Sequence, residues 1–182
     1  DQTPGVAGNS VALLRRAGVK VTTGVLEAAG EELSRVRNTF VTRNRPYIIL
    51  KWAQSSDGFI GMDQQQVWIT QPLTKRLVHK WRAESAAILV GTNTAVVDNP
   101  SLNNRYYFGN SPLRIALDRT GRIDPAAQLL NGQLPTWLVS ERAAPPQLPA
   151  NLTWQQLEFN DELIPQLLQL LVAAKKNTLL VE

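Results

Sequence analysis

The sequence contains no cysteine, one histidine and one methionine among its 182 residues. Without cysteine there are no disulfides, no thiolate nucleophile and no Cys-ligated zinc. With His79 alone, multi-histidine metal sites and His–His proton relays are excluded as well. Glycine and proline number 11 each, well short of the ~25–30% that marks a low-complexity chain. No apolar run approaches the ~20 residues of a membrane helix. The first residues show no signal-peptide pattern, and the expectation is a cytosolic protein without membrane contact. G-x-G-x-x-G and Walker loops are also missing, so a dinucleotide would need other loops to hold it.

What is present describes a globular chain. The hydrophobic fraction is 43% and the charged fraction 19%, and a chain of this length buries roughly 70% of its unfolded surface. Nineteen Lys and Arg against 15 Asp and Glu leave a net charge of +4. That excess fits an ordinary surface, or an anionic partner such as a phosphorylated small molecule or a nucleic acid. The nearest basic patch, Arg35, Arg37, Arg43 and Arg45, has no aromatic residues interleaved at stacking spacing, which argues against nucleic acid. No surface stripe stands out that would set an oligomeric state, which leaves homo-oligomers open.

Residues 10–17 read as a short helix closed by Gly18. Residues 19–25 alternate as a half-buried strand, and residues 27–37 read as a polar helix. Residues 38–46 are a polar connector ending at Pro46, and the main boundary is placed there. From Tyr47 onward strands and helices alternate. Strands are expected at 47–52, 67–69, 86–90, 114–117, 135–139 and 178–181. Helices are expected after Thr70 as N-cap, with Leu73, Leu77, Val78 and Trp81 on one face and Arg82 following the helix, and at 92–97 and 161–174. This grammar argues for an α/β fold with a largely parallel sheet.

Ligands of such sheets sit at the carboxyl ends of the strands. Lys51, near the end of an apolar strand, must snorkel or find an anion. Asp57 and Gly58 form an ordinary turn pair. The stretch from Val90 through Thr92 and Thr94 combines a strand end, a glycine and a helix start, which suits phosphate or simple capping. Arg82 and Arg105 could fork onto a phosphate or lie in solvent. Trp68 and Trp81 suit a core, although Trp68, beside a turn, could also stack on a flat ring. His79 reads as a surface or boundary residue, with a ligand or catalytic role as the minor alternative.

Six stretches in order carry a resemblance. They are RPYIILKWAQSSDG (45–58), WIT (68–70), HKWRAESAAILVGTNT (79–94), DNPSL (98–102), RIALD (114–118) and LLVE (179–182). Together they resemble the reductase half of the bifunctional riboflavin biosynthesis deaminase–reductase. Residues 1–37, with GVAG at 5–8 and GVLE at 24–27, look like the tail of that family's deaminase domain.

The resemblance implies a dihydrofolate-reductase-like α/β sheet flanked by helices, with residues 47–182 as the reductase domain after a 38–46 linker. It implies NADPH-dependent reduction of a phosphoribosylamino-pyrimidine to the ribitylamino product, with hydride delivered to C1′ of the opened ribose. Carried over by position, Ala53, Trp68, Thr94, Asp98 and Arg119 would line the NADP site. Gln66, Arg82, Leu102, Arg105 and Glu182 would contact the substrate. Lys51, Asp98 and Glu182 would polarise and handle protons around C1′. The zinc deaminase signature is absent, so deamination by that route is not expected. The family's glycine-rich loop is expected beyond Glu182, so the chain is expected to be a truncated reductase domain. The alternative is a non-catalytic fragment of the same fold that binds a ligand or partner.

Overall fold

The computed structural model describes residues 8–61 and 67–182. The chain divides into two compact units. The first comprises Asp1–Tyr47 with Leu168–Asn177, the second Ile48–Leu167 with Thr178–Glu182.

The first unit holds three short helices, α1 (Asn9–Arg16), α2 (Glu27–Leu33) and α3 (Arg35–Arg43). The expected glycine closure of α1 is present. Gly18 adopts φ +77°, and the N–H groups of Gly18 and Val19 donate to the carbonyls of Arg15 and Leu14. That backbone conformation is open to glycine at little cost. Two expectations fail in this unit. Residues 19–25 are not a strand, because alternation makes a strand only beside a partner ladder, and none of the described residues supplies one. The polar helix expected at 27–37 breaks at Ser34 and restarts as α3, which carries helix across most of the expected 38–46 connector.

The second unit is built on a six-stranded sheet in the order β1-β6-β2-β3-β4-β5. Its strands are β1 (Tyr47–Leu50), β2 (Ala87–Val90), β3 (Leu113–Leu117), β4 (Thr136–Ser140), β5 (Leu152–Gln156) and β6 (Thr178–Val181). β2 runs parallel to β3 and β6, β3 to β4, and β4 to β5. At the far edge, the Lys51 N–H donates to Val181 O. Every residue of β2 is buried, because a central parallel strand is covered on both faces and so reads as an unbroken apolar run. β5 escaped the sequence reading: it is an edge strand carrying Thr153, Gln155 and Gln156, so its polarity looks like loop.

Three connections carry helices: α4 (Pro72–Glu84) before β2, α5 (Thr92–Asp98) before β3 and α6 (Leu163–Ala173) before β6. The other two, residues 118–135 and 141–151, do not, apart from one turn of 3-10 helix at Gln128–Leu130. The core lies between sheet and connections, around Ile88, Val90, Ala95, Leu102, Ala116, Leu129, Leu138 and Leu180.

Details of α4 and its approach differ from expectation. Residues 67–69 are not a strand. The N-cap is Gln71, followed by Pro72, and it makes no side-chain cap bond. The buried residue of the helix is His79, while Leu73 and Leu77 are exposed. α5 is capped by the Gly91 backbone rather than by a threonine. Thr92 Oγ1 donates instead to Leu117 O at 2.6 Å, tying the helix start to the end of β3.

Candidate active site

The carboxyl ends of β1, β6 and β2 lie side by side, and the chain leaving each one supplies polar side chains. Lys51 follows β1 and Glu182 follows β6, where its N–H extends the ladder to Leu89 O at 3.1 Å. Gly91 follows β2 and opens α5, which ends at Asp98. The loop after α5 holds Asn99 and Leu102 in left-handed conformations at φ +40° and +48°. Leu102 is only 1% exposed. A bulky residue in this conformation costs about 1–2 kcal/mol, and burial of its side chain in the core holds the loop in place.

Two adjoining clefts open on this edge, of about 370 Å³ and 310 Å³, and both are lined by Lys51, Trp68, Thr70, Arg82, Asp98 and Pro100. The first adds Ala53, Thr94, Leu102 and Glu182. The second adds Lys75, His79, Arg105 and Tyr106. The structure therefore gathers Lys51, Ala53, Trp68, Arg82, Thr94, Asp98, Leu102, Arg105 and Glu182 around one site. Gln66 lies outside the described residues. Arg119 sits past the end of β3, lines neither cleft and ion-pairs with Glu141 at 2.9 Å.

The centre of the site is charged and ordered. Arg82 grips Glu182 with two bonds, Nε at 3.1 Å and Nη2 at 2.7 Å. A forked pair of this kind fixes both planes. Lys51 Nζ lies 3.9 Å from the same carboxylate, the anion that its place on an apolar strand demands. Partial burial raises the Asp98 carboxyl above the usual range, and the Lys51 charge opposes that rise. Because the Arg82 fork is spent on Glu182, Arg105 is the guanidinium left facing solvent here, steadied by Asn103 Oδ1 at 2.7 Å. Trp68 is 64% exposed with Lys75 Nζ 3.9 Å above its ring, so it is no core residue. Asp57 remains a turn residue, exposed and bonded to Ser55.

A flat cofactor and an anionic substrate fit this donor set. Ala53 and Thr94 line the same cleft as the exposed Trp68 ring, and Lys51, Lys75 and Arg105 outnumber Asp98 where Glu182 is already paired. A third cavity, of about 540 Å³, is larger but lacks this chemistry. It is walled by Leu130, Leu138, Leu152 and Trp154. Its carboxylate, Asp118, is consumed in accepting the N–H groups of Arg122 and Ile123.

His79, expected at the surface or boundary, is instead 4% exposed and lines the second cleft, and Lys75 and Tyr106 are residues that sequence reasoning passed over. The helical spacing of His79 and Arg82, three apart on one face, was the available signal. No helix among the described residues is long and apolar enough to cross a membrane.

Comparison with known proteins follows the same lines. The model of the RibD C-terminal domain family matches residues 46–182. The riboflavin biosynthesis protein RibD of Aquifex aeolicus is 37% identical over 145 residues, covering 78% of this chain and 41% of that protein. The 2,5-diamino-6-ribosylamino-4(3H)-pyrimidinone 5′-phosphate reductase of Methanothermobacter thermautotrophicus is 35% identical over 111 residues, 59% of this chain and 51% of its own length. Among solved structures, a diaminohydroxyphosphoribosylaminopyrimidine deaminase/5-amino-6-(5-phosphoribosylamino)uracil reductase of Thermotoga maritima superposes with a TM-score of 0.83 at 29% identity. That match takes in 100% of this chain and 51% of the other. The chain thus spans about half the length, or less, of the curated relatives it matches.

Proposed function

Because the chain belongs to the RibD C-terminal domain family, we propose that it catalyses the NADPH-dependent reduction of the ribosyl group of 5-amino-6-(5-phosphoribosylamino)uracil to the ribityl product, a step of riboflavin biosynthesis. The observation that carries this reading is the convergence at one sheet edge of Lys51, Asp98 and the Arg82–Glu182 pair, with Arg105 exposed beside them. Residues 47–182 are the reductase domain, and residues 1–37 belong to the tail of a deaminase-like domain. The match of the whole chain to the Thermotoga protein supports that division.

NADPH, when bound, supplies the hydride that reduces C1′. The protein's share is orientation and proton handling. Opening the ribose ring of the substrate frees O4′ and leaves a C1′=N imine. Reduction adds hydride at C1′ and a proton at the nitrogen, which turns the imine into an amine. Asp98, whose carboxyl is pushed toward the neutral form, is the group to deliver that proton. Lys51, between Asp98 and Glu182, places positive charge where the sugar hydroxyls and the developing oxygen charge would lie. Arg82 holds Glu182 still, so its carboxylate can accept from sugar hydroxyl groups without swinging away. Arg105 meets the phosphate, where a guanidinium matches the oxygens. Ala53, Trp68 and Thr94 hold the nicotinamide half. Arg119, on the same sheet edge, is left for the distal half of the cofactor.

Steady-state assay of the purified chain with the pyrimidine substrate, comparing NADPH with NADH, tests the reading. Oxidation of NADPH that depends on substrate and exceeds that of NADH is the expected result. Saturable binding of NADPH and substrate without turnover would replace it with a non-catalytic binding domain.

A further inference from the structure

His79 lies on α4 one turn before Arg82, only 4% exposed beneath the Arg105 side of the cleft. Its Nδ1 accepts the backbone N–H of Arg105 at 3.0 Å. A ring nitrogen that accepts carries no proton, so the proton of the neutral ring sits on Nε2. The same ring meets Tyr106 in a T-shaped contact, with centroids 4.8 Å apart and planes at 78°. One imidazole thus holds two consecutive residues of the loop. The Arg105 guanidinium in turn lies 4.9 Å over the Tyr106 ring, so backbone and side chain of Arg105 are both referred to His79.

The charge state of the ring matches this role. Burial, together with the Arg82 and Arg105 guanidiniums, lowers the imidazole pKa from 6.5 to about 4. The side chain of Asn104 and the Glu182 carboxylate pull weakly the other way. A protonated ring could not accept the Arg105 N–H and would set a third cation between two arginines.

We propose that His79 is a positioning residue for the phosphorylated substrate: by accepting the Arg105 amide and bracing Tyr106, it presents the Arg105 guanidinium to the phosphate without adding charge. This rests on the reading of Arg105 as the phosphate contact. His79 touches neither reacting atom, so its effect belongs in substrate affinity.

The test compares His79→Ala with His79→Asn, whose Oδ1 can replace Nδ1 as acceptor, in the whole chain. His79→Ala is expected to raise KM for the phosphorylated substrate about tenfold, the scale of one lost hydrogen bond, with kcat within about twofold and KM for NADPH unchanged. His79→Asn is expected to recover most of that loss. A second readout needs no turnover: ribose 5-phosphate is titrated into 15N-labelled protein while the Arg105 amide is followed, with ribose as control. Weaker ribose 5-phosphate binding in His79→Ala, restored in His79→Asn, supports the proposal. Unchanged KM and unchanged ribose 5-phosphate binding would overturn it, as would a fall in kcat in place of a rise in KM, or an Asn variant no better than Ala. If His79→Ala fails to fold, the Asn variant decides, with near-native binding supporting the role and tenfold loss refuting it. Absence of turnover in the parent chain would count against the reductase reading alone and leave the ribose 5-phosphate titration to judge His79.

Discussion

At the residue scale the site separates charges that are spent from charges that are free. Glu182 is engaged by Arg82 and Lys51, whereas Asp98 has only the distant influence of Lys51 against its partial burial. The proposed proton donor is therefore Asp98. Asp98→Asn is expected to lower kcat by about 10²-fold or more, the usual weight of a general acid, while KM for NADPH stays within about threefold. Equal kcat in the variant would remove Asp98 from the chemistry. His79 gives a second prediction, about stability. Its folded pKa is depressed, to about 4 from 6.5. Above pH 6.5 the ring is neutral in both folded and unfolded chains, and its contribution is fully present. As pH falls from 6.5 toward 4 only the unfolded chain gains the proton, so stability is lost, on the order of 3 kcal/mol in all. Urea unfolding of the parent chain and of His79→Asn at pH 7, 5.5 and 4.5 should show this loss in the difference between them. Parallel pH profiles would mean that the ring titrates normally.

At the scale of elements, the loop from Asp98 to Arg105 is placed from behind by a side chain that sequence could not single out. Arg114 on β3 is 1% exposed. Its guanidinium donates to Thr136 Oγ1 at 2.9 Å and to the carbonyls of Ser101, Gln128 and Leu134 at 3.0–3.4 Å. Among the described residues it has no carboxylate partner, and burial lowers its pKa. Four acceptors at the corners of a planar fork are a geometry a lysine cannot reproduce. Arg114→Lys is therefore expected to cost about 2–4 kcal/mol, since it strands buried acceptors around a mismatched charge. Chemical denaturation measures it, and a loss under about 0.5 kcal/mol would show that the fork does not hold the loop. The strands that sequence reading found, β1, β2, β3, β4 and β6, are those carried by largely apolar runs, and all but β1 lie inside the sheet. It missed β5, a polar edge, and misread residues 19–25, whose alternation had no partner to pair with. Period alone reports a preference, while pairing is decided by residues far away in the chain.

At the scale of the whole molecule, Lys51, Arg82 and Arg105 of the candidate site were legible from their places near strand ends and loops, and Asp98 and Glu182 only through the family resemblance. Lys51, Asp98, Glu182 and Arg105 lie at or just past the end of a strand or helix, and a parallel sheet brings such positions to one edge. What sequence did not show was who pairs with whom: that Glu182 would take the Arg82 fork, leaving Arg105 for the anion, and that a buried His79 would stand behind it. Those facts depend on side-chain reach across elements that lie 20 or more residues apart. They also bear on the net charge of +4. If that excess serves one phosphate at a pocket, its effect is local. Raising NaCl from 0.05 to 0.5 M compresses the Debye length from roughly 14 to 4 Å, which should raise KM for the phosphorylated substrate severalfold and leave kcat unchanged. A surface for nucleic acid would instead lose affinity by several powers of ten over that range, because many phosphate contacts each release counterions. Duplex DNA added to the assay should therefore leave KM unchanged. Competitive inhibition by DNA that vanishes at high salt would shift the meaning of the charge from the cleft to the surface.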